Sequence, residues 1–587
     1  MLQAHFTLLD WLILLGYLLF TTLLGARLAG RQATIRDFFL GGRKLPWWAV
    51  SGSIIATEIS AVTFIGVPAI VYRAGGDLTY LQLTLGAILA RLIIALWFVP
   101  AFYQREIYSP YEYMGQRLGT PVRSVTSGLF LLGAVLGQSV RLLLTAIILQ
   151  LMTGVELWLA IWLIGALAVL WTLLGGITTV IWTDVIQFAV FTLGLVAALG
   201  VALTRLPGGW GEVMTVAAAA GKLRVWNLTT DPQEEFTLWT ALLANTLLCL
   251  NAYGTDQLIA QRMFCCRGPR AARLAIIASS LGHLVTLLAV GVGLTLYAFY
   301  QRHPLHGSAA ASVATRVDNV FPVFILQEIP PGLTGLVIAG VFAAAISSLD
   351  SVLAALSQTV VSHFYRPWRQ RRLGTNGRQK DDERHYLWAA RLLVVVWGIV
   401  LCAMAHVAEL ASTRYRELLN LALAMASYTG GALLAAFFFA FLRLNLSYRG
   451  IMWSAPLSVL MVFALSWHQP WAIVTTIAAS LTLLAAWLFW TMKNWRNGES
   501  SRTRTLLRGL ALGAGAASVV LVCITPVDES GQHLVVAWPW NVPVGFVVAF
   551  AFGILLDSPR SAAGGAKTHG EDEPASNDLT DQERVNA

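Results

Sequence analysis

Apolar residues run through this chain in blocks too long and too unbroken to be one face of a soluble helix. A hydrocarbon core of roughly 30 Å takes about twenty residues at 1.5 Å each, and windows of that length recur at about fifteen places. The pattern predicts an all-α polytopic membrane protein. The first block, Leu8 to Ala29, is too long for a secretory signal and is followed by no small-residue cleavage site, so it reads as a retained helix. Three blocks are interrupted by polar or helix-breaking residues. In Ala49 to Tyr72, Gly66 and Pro68 punctuate the helix, while Glu58, Ser60 and Thr63 put polar groups at membrane depth. In the seventh block, about Leu238 to Gln261, Asn251, Gly254, Thr255, Asp256 and Gln257 break the run, and in the eleventh the breaker is Tyr428 to Gly431. The first two head consecutive sets of five spans, two to six and seven to eleven, as an inverted-repeat transporter would.

The ninth block, Gly335 to His363, is continuous yet carries Ser347, Ser348, Asp350 and Ser351 in its middle. On a helix, Ala344, Ser347, Ser348 and Ser351 stand at i, i+3, i+4 and i+7 and share one face. A row of hydroxyl oxygens fits a hard cation such as sodium. The same small residues also suit close helix packing, and both readings stand at this point. An aspartate at a helix centre costs about 2.5 to 3.5 kcal/mol in lipid, so Asp350 is expected to face a partner, water or the protein interior. Elsewhere, Gln82 and Arg91 lie in span three, Gln138 and Arg141 in span four, Asp184 near one end of span six and His283 in span eight. Arg91 and His283 read as interhelical contacts, and Asp256 as a helix-end residue.

Composition agrees with the pattern: 57% of the 587 residues are hydrophobic and 12% charged, which excludes a soluble enzyme. No phosphate-binding glycine loop or ATP motif is present, so a primary pump is not expected either. The net charge of +9 is scattered between spans and forms no nucleic-acid patch. Arg27, Arg31, Arg36, Arg43 and Lys44 follow span one; Arg262, Arg267, Arg270 and Arg273 follow span seven; Arg366 to Arg384 follow span nine; Lys493, Arg496, Arg502, Arg504 and Arg508 follow span thirteen. All four loops fall on one side if the spans alternate. The positive-inside rule makes that side cytoplasmic, the N-terminus external and the C-terminus cytoplasmic. The five cysteines have no metal-ligand spacing.

Six segments, DFFLGGRKLPWWA, SAVTFIGVPA, SPYEYMGQR, GGITTVIWTDVIQ, GTDQLIAQR and FAAAISSLDS, stand in the order in which the sodium:solute symporter family carries them. The chain resembles that family over roughly residues 7 to 444, and the anion, monocarboxylate and sialic acid branches more than the sugar branch. The resemblance implies a LeuT-like inverted five-plus-five repeat with one extra N-terminal helix and about four C-terminal helices. The expected units are 1–44, the extra helix and its loop; 45–205, the first repeat; 206–235, an external loop; 236–444, the second repeat; 445–557, further spans; and 558–587, a disordered tail. Function is then expected to be sodium-coupled symport of a small organic solute, carboxylate-bearing, at the inner cell membrane, by a single chain. A sugar or polyol symporter is the alternative.

The resemblance also carries residues over. Sodium is expected at the backbone carbonyls of Ala56, Ile59 and Ala344 and the hydroxyls of Ser347 and Ser348. A second sodium position, as in the sialic acid branch, maps to Asp184 with Ser347, Asp350 and Ser351, although Asp350 replaces a hydroxyl there. The solute pocket selects Ser60, Thr63, Gln82, Arg141, Asn251, Ala252 and Tyr253. Ala252 followed by Tyr253 departs from the aromatic pair of the sugar-binding members. Arg141 offers paired donors to a carboxylate, about two residues from the family's arginine position; pairing with Glu58 or with another helix is the competing role.

Overall fold

The computed structural model describes residues 6–556 except 29–39, 105–106, 108, 175–176, 374–378, 413–417, 443–449, 468–469 and most of 496–535. Arg31, Arg36, Arg496, Arg502, Arg504, Arg508, Cys523 and the tail 558–587 thus lie outside the described residues. The architecture is all-α. Among the described residues eight helices are long and apolar enough to span, two bent pairs would make it ten, and three shorter apolar helices remain. Together with the wound stretch that precedes Gln257–Phe264, these account for fourteen of the about fifteen spans expected, and the remaining expected C-terminal span falls in 496–535, most of which lies outside the described residues.

The order is α1 (Leu8–Leu28), α2 (Trp47–Glu58), α3 (Ala61–Tyr72), α4 (Thr79–Tyr103), α5 (Thr120–Thr153), α6 (Leu157–Leu174) and α7 (Ile177–Thr204). The second set begins with a wound stretch that has π turns at Thr240–Asn245 and Asn251–Thr255. It breaks at Asp256 and resumes as α8 (Gln257–Phe264). Then come α9 (Pro269–Arg302), α10 (Leu333–Val360), α11 (Gln379–Ala411), α12 (Leu418–Ser427) and α13 (Gly430–Phe441). Beyond the repeats lie α14 (Ile451–Trp467), α15 (Pro470–Trp495) and α16 (Asn541–Leu555).

The interruption of span two falls at Ile59 and Ser60, both with extended backbone, where the chain bends by 54°. It does not fall at Gly66 or Pro68, the breakers read from sequence, which lie inside α3. Gly66 serves packing instead: a Cβ there would come 2.8 Å from Leu419 Cβ on α12, so α3 can approach α12 only because the glycine is bare. The reason for the break is polar. The amide of Thr63 turns to the carbonyl of Ser60 (2.9 Å) and so leaves that of Ile59 outside the helical ladder, and the last carbonyls of α2 are acceptors with no helical partner.

Helix α10 is the centre of the bundle. In the stretch Leu333–Arg372, 94% of the most apolar window is buried, against 33% for α7, which packs along it and faces outward on its other side. The start of α10 is capped from the other end of the sequence. Asp10 of α1 is fully buried, and its Oδ1 accepts from the amides of Gly332 (2.7 Å) and Gly335 (2.8 Å), two of the orphan donors at that helix end. Its Oδ2 accepts from the amide and hydroxyl of Thr7 (2.9 and 2.7 Å), which closes a capping box on α1 itself.

Candidate cation and solute sites

The end of α2 and the middle of α10 meet through oxygen atoms. Ser347 Oγ donates to the carbonyl of Ala56 (3.0 Å) and lies 3.2 Å from that of Ala344. Ser348 Oγ lies 3.4 Å from the carbonyl of Thr57 and 3.3 Å from that of Ala344. Both serines are fully buried. The hydroxyls thus stand against carbonyls that α2 cannot satisfy, and Ile59, with its carbonyl freed by the break, follows directly. Four of the five oxygens expected to hold sodium are linked in a chain of such contacts, from Ala56 O through Ser347 Oγ and Ala344 O to Ser348 Oγ. That is a hard-oxygen cluster of the kind sodium prefers to nitrogen or sulfur.

Around Asp184 the arrangement differs from a simple oxygen cage. Asp184 Oδ2 accepts from Ser53 Oγ (2.5 Å) and Arg262 Nη2 (3.0 Å), and Arg262 Nη2 also donates to Ser351 Oγ (2.5 Å). Ser351 Oγ is 3.1 Å from Asp350 Oδ1 and donates to the carbonyl of Ser347 (2.6 Å). Arg262 is 1% exposed, Asp184 0% and Asp350 3%, so two buried carboxylates face one guanidinium. Asp184 Oδ1 is buried without a hydrogen-bond partner among the described residues, and Gln187, one turn along α7, and Tyr17 on α1 lie buried nearby.

Beside the α2–α3 break lies a cavity of about 250 Å³. Of the solute residues expected, Ser60, Thr63, Arg141, Asn251, Ala252 and Tyr253 line it. Gln82 does not. Its amide nitrogen donates to the carbonyls of Thr79 (3.3 Å) and Phe236 (3.2 Å), and its oxygen accepts from the amide of Asn227 (3.3 Å). The residue pins the segment before span seven to the start of α4 through these three hydrogen bonds.

Glu58 is held by Arg91, whose Nη2 donates to Oε2, and by Tyr253, whose hydroxyl donates to Oε1 (2.5 Å). Arg91 is fully buried; its Nε donates to Ser279 Oγ (3.0 Å), its Nη1 meets His283 Nε2 (3.0 Å) and its guanidinium lies 4.4 Å from the Tyr253 ring centre. Arg91 is therefore the interhelical ion-pair partner, and His283 its hydrogen-bonded neighbour, as read from sequence. Arg141 does not pair with Glu58. Among the described residues its side chain makes one long hydrogen bond, Nη1 to the carbonyl of Thr57 at 3.5 Å, and no carboxylate lies within ion-pair distance, although Glu58 and Asp256 line the same cavity. Asp256 caps α8, accepting from the amide of Leu258 (2.8 Å). Sequence reasoning missed Trp538, from the far C-terminal part, which also lines the cavity; a tryptophan in an apolar run carries no mark that distinguishes a wall residue from an interfacial anchor.

Two broken helices, a cavity at the break and an oxygen cluster joining the break to a buried helix define a multi-pass membrane transporter, not an enzyme. The model of the sodium:solute symporter family matches residues 38–457, and the chain belongs to that family, whose members are sodium-coupled transporters. It is 30% identical over 434 residues to sodium-coupled monocarboxylate transporter 1 of Homo sapiens, spanning 73% of this chain and 68% of that one. It is 29% identical over 438 residues to the sodium-dependent multivitamin transporter of Oryctolagus cuniculus, spanning 74% and 66%. Among solved structures it is similar to a Na+-coupled sialic acid symporter in a substrate-bound outward-open state, with TM-score 0.67, 26% identity and coverage of 78% and 92%.

Proposed function

We propose that the chain imports a small carboxylate-bearing solute, a monocarboxylate or sialate-like compound, together with sodium, by alternating access. One observation carries the choice of solute. Arg141 stands in the cavity wall with its fork of donors nearly unused, while the other cation near the cavity, Arg91, is saturated by Glu58, Ser279 and His283. A guanidinium with no carboxylate in ion-pair contact at the edge of a solute cavity, where Asp256 and Glu58 stand as more distant charges, favours a ligand that brings one into contact. Ser60, Thr63, Asn251, Ala252 and Tyr253 complete the proposed solute site; Gln82 leaves it.

Sodium is proposed at the carbonyls of Ala56, Ile59 and Ala344 and the hydroxyls of Ser347 and Ser348. Bound there, it would replace hydroxyl–carbonyl contacts by ion–oxygen contacts and fasten the broken span to α10. It would thereby favour the state in which the cavity is complete, which is the condition for coupling. A second cation is proposed at Asp184, Asp350 and Ser351, because two buried carboxylates and one guanidinium leave one negative charge over, and an uncompensated buried charge is costly. The distribution of basic loops supports an external N-terminus and a cytoplasmic C-terminus; residence in the inner cell membrane is proposed with it. Inward movement of sodium gains about 2.3 kcal/mol per charge per 100 mV.

The test is uptake into proteoliposomes bearing the purified full chain, with and without an inward sodium gradient, across pyruvate, lactate, N-acetylneuraminate and glucose. Sodium-stimulated uptake of an acid is expected. Uptake of glucose alone, or uptake indifferent to sodium, refutes the reading.

A further inference from the structure

On the side of the basic loops the cavity has a floor. Leu258 and Ile259, in the first turn of α8, line it, and Arg262 stands one turn further along the same helix. Arg262 is 1% exposed, and its guanidinium bonds to four helices at once. Nε donates to Ser53 Oγ on α2 (2.8 Å) and Nη1 to the carbonyl of Leu258 in α8 itself (2.6 Å). Nη2 donates to Asp184 Oδ2 on α7 (3.0 Å) and to Ser351 Oγ on α10 (2.5 Å). The rigid, planar fork of an arginine reaches such a spread of acceptors from one position, which the ammonium of a lysine does not.

The four helices fall into two pairs. Helices α2 and α8 are the halves of the two broken spans on the side of the basic loops, and backbone contacts join them there. The amide of Leu45, just before α2, donates to the carbonyl of Cys265 (3.1 Å), and Arg267 Nε donates to that of Lys44 (3.1 Å). Helices α7 and α10 are continuous and meet backbone to backbone. A Cβ on Gly340 would lie 3.1 Å from the Cα of Phe191, and one on Gly194 3.3 Å from the Cα of Val337. Arg262, seated on the first pair, holds it to the second through Asp184 and Ser351.

We propose that Arg262 is a cytoplasmic latch. It holds the α2–α8 pair against α7 and α10 while the floor of the cavity is closed, and it releases Asp184 and Ser351 when the solute leaves toward the basic loops. This rests on the reading of the chain as an alternating-access symporter with those loops in the cytoplasm. A buried ion pair adds little stability over apolar packing, and selecting one arrangement over another is its best-attested use. Arg262 positions helices and does not touch the solute.

The experiment places a thiol in the floor by Ile259→Cys. Its labelling by a membrane-impermeant maleimide is read in right-side-out and inside-out vesicles, above that of the same chain without the substitution. The thiol is carried on the wild type, on Arg262→Lys, which keeps the charge and loses the fork, and on Asp184→Asn/Arg262→Met, which removes both partners of the ion pair. Melting temperature and uptake of pyruvate, lactate and N-acetylneuraminate are measured on the full chains without the added cysteine. In both variants, labelling from the cytoplasmic face is expected to rise about tenfold, the shift that one lost charge-assisted hydrogen bond gives a two-state balance. Labelling from the external face should not rise, and sodium-driven uptake should fall. Cytoplasmic labelling of the double variant at the wild-type level overturns the latch, and leaves the symport reading intact where the wild type takes up an acid with sodium. A rise from both faces together with a lower melting temperature also overturns it, since a loosened fold gives that result. If the wild type shows no sodium-stimulated uptake of any of the three acids, the symport reading falls and the latch with it.

Discussion

Ser348 and Arg141 meet on one atom. The hydroxyl of the first, on the proposed sodium helix, and the guanidinium of the second, in the cavity wall, reach the carbonyl oxygen of Thr57 from 3.4 and 3.5 Å. The last turn of α2 is therefore the shortest connection between the proposed ion and solute sites. Sodium drawn to Ser348 would compete for that side of the turn, and a carboxylate on Arg141 would draw the guanidinium from it.

The first prediction follows from this shared carbonyl. Ser348→Ala should raise the sodium concentration for half-activation of uptake severalfold, with a smaller change in solute KM at saturating sodium. Sodium should also raise the melting temperature of the detergent-solubilised wild type more than that of the variant, by the ordinary linkage of ligand to stability. Unchanged sodium dependence would remove Ser348 from the ion site.

Arg141→Lys keeps the charge but loses the paired, planar donors. Uptake of an acid should fall by about tenfold in kcat/KM, about 1.4 kcal/mol, while any neutral solute that enters should be spared. Equal losses for acid and neutral solute would mean that Arg141 supports the helix and not the substrate.

Glu58→Gln tests the other cation near the cavity. Arg91 has 1% of its side chain exposed and Glu58 22%, so neutralising the glutamate strands a buried guanidinium, for which about 3–5 kcal/mol is the usual scale. The variant should inactivate at markedly lower temperature in detergent, and Arg91→Met added to it should recover part of the loss. A Glu58→Gln protein as heat-stable as the wild type would show that the pair is not structural.

Asp350→Asn addresses the surplus charge beside Asp184. If a second sodium ion neutralises it, the sodium-activation curve of the wild type should be sigmoidal and that of the variant hyperbolic. A sigmoidal curve in both would place the second cation elsewhere, and a hyperbolic wild-type curve whose uptake follows pH would assign the charge to a proton.

Much of this was legible from the chain because its motifs name backbone events. That the span from Ala49 to Tyr72 is interrupted is legible, and Ala344, Ser347 and Ser348 fall on one face whatever surrounds them. Partner choice was less legible. Gly66 and Pro68 look like the breakers of span two, yet the break lies at Ile59, where orphan carbonyls are wanted, and the glycine's role depends on Leu419, more than 350 residues away. Gln82 reads as a pocket residue until the rotation of α4 turns it to Phe236 and Asn227. Arg91 reads as an interhelical contact and Arg141 as a solute residue or a partner of Glu58; only the packing decides that Glu58 takes Arg91 and not Arg141. Trp538 could not be placed as a wall residue, because its neighbours in the cavity, such as Leu419, lie more than 100 residues away.

The Asp10 contact bears on how the molecule is made. At about 5–20 residues per second, a ribosome takes roughly 20–60 s after Asp10 emerges to deliver Gly335, and until then the carboxylate of the first helix has only Thr7 to bond with. The helix made earliest must therefore wait in the bilayer for the helix that becomes the centre of the bundle. Its docking cannot precede synthesis of the ninth span, so Asp10→Ala should impair assembly late in biogenesis and leave insertion of the early helices intact.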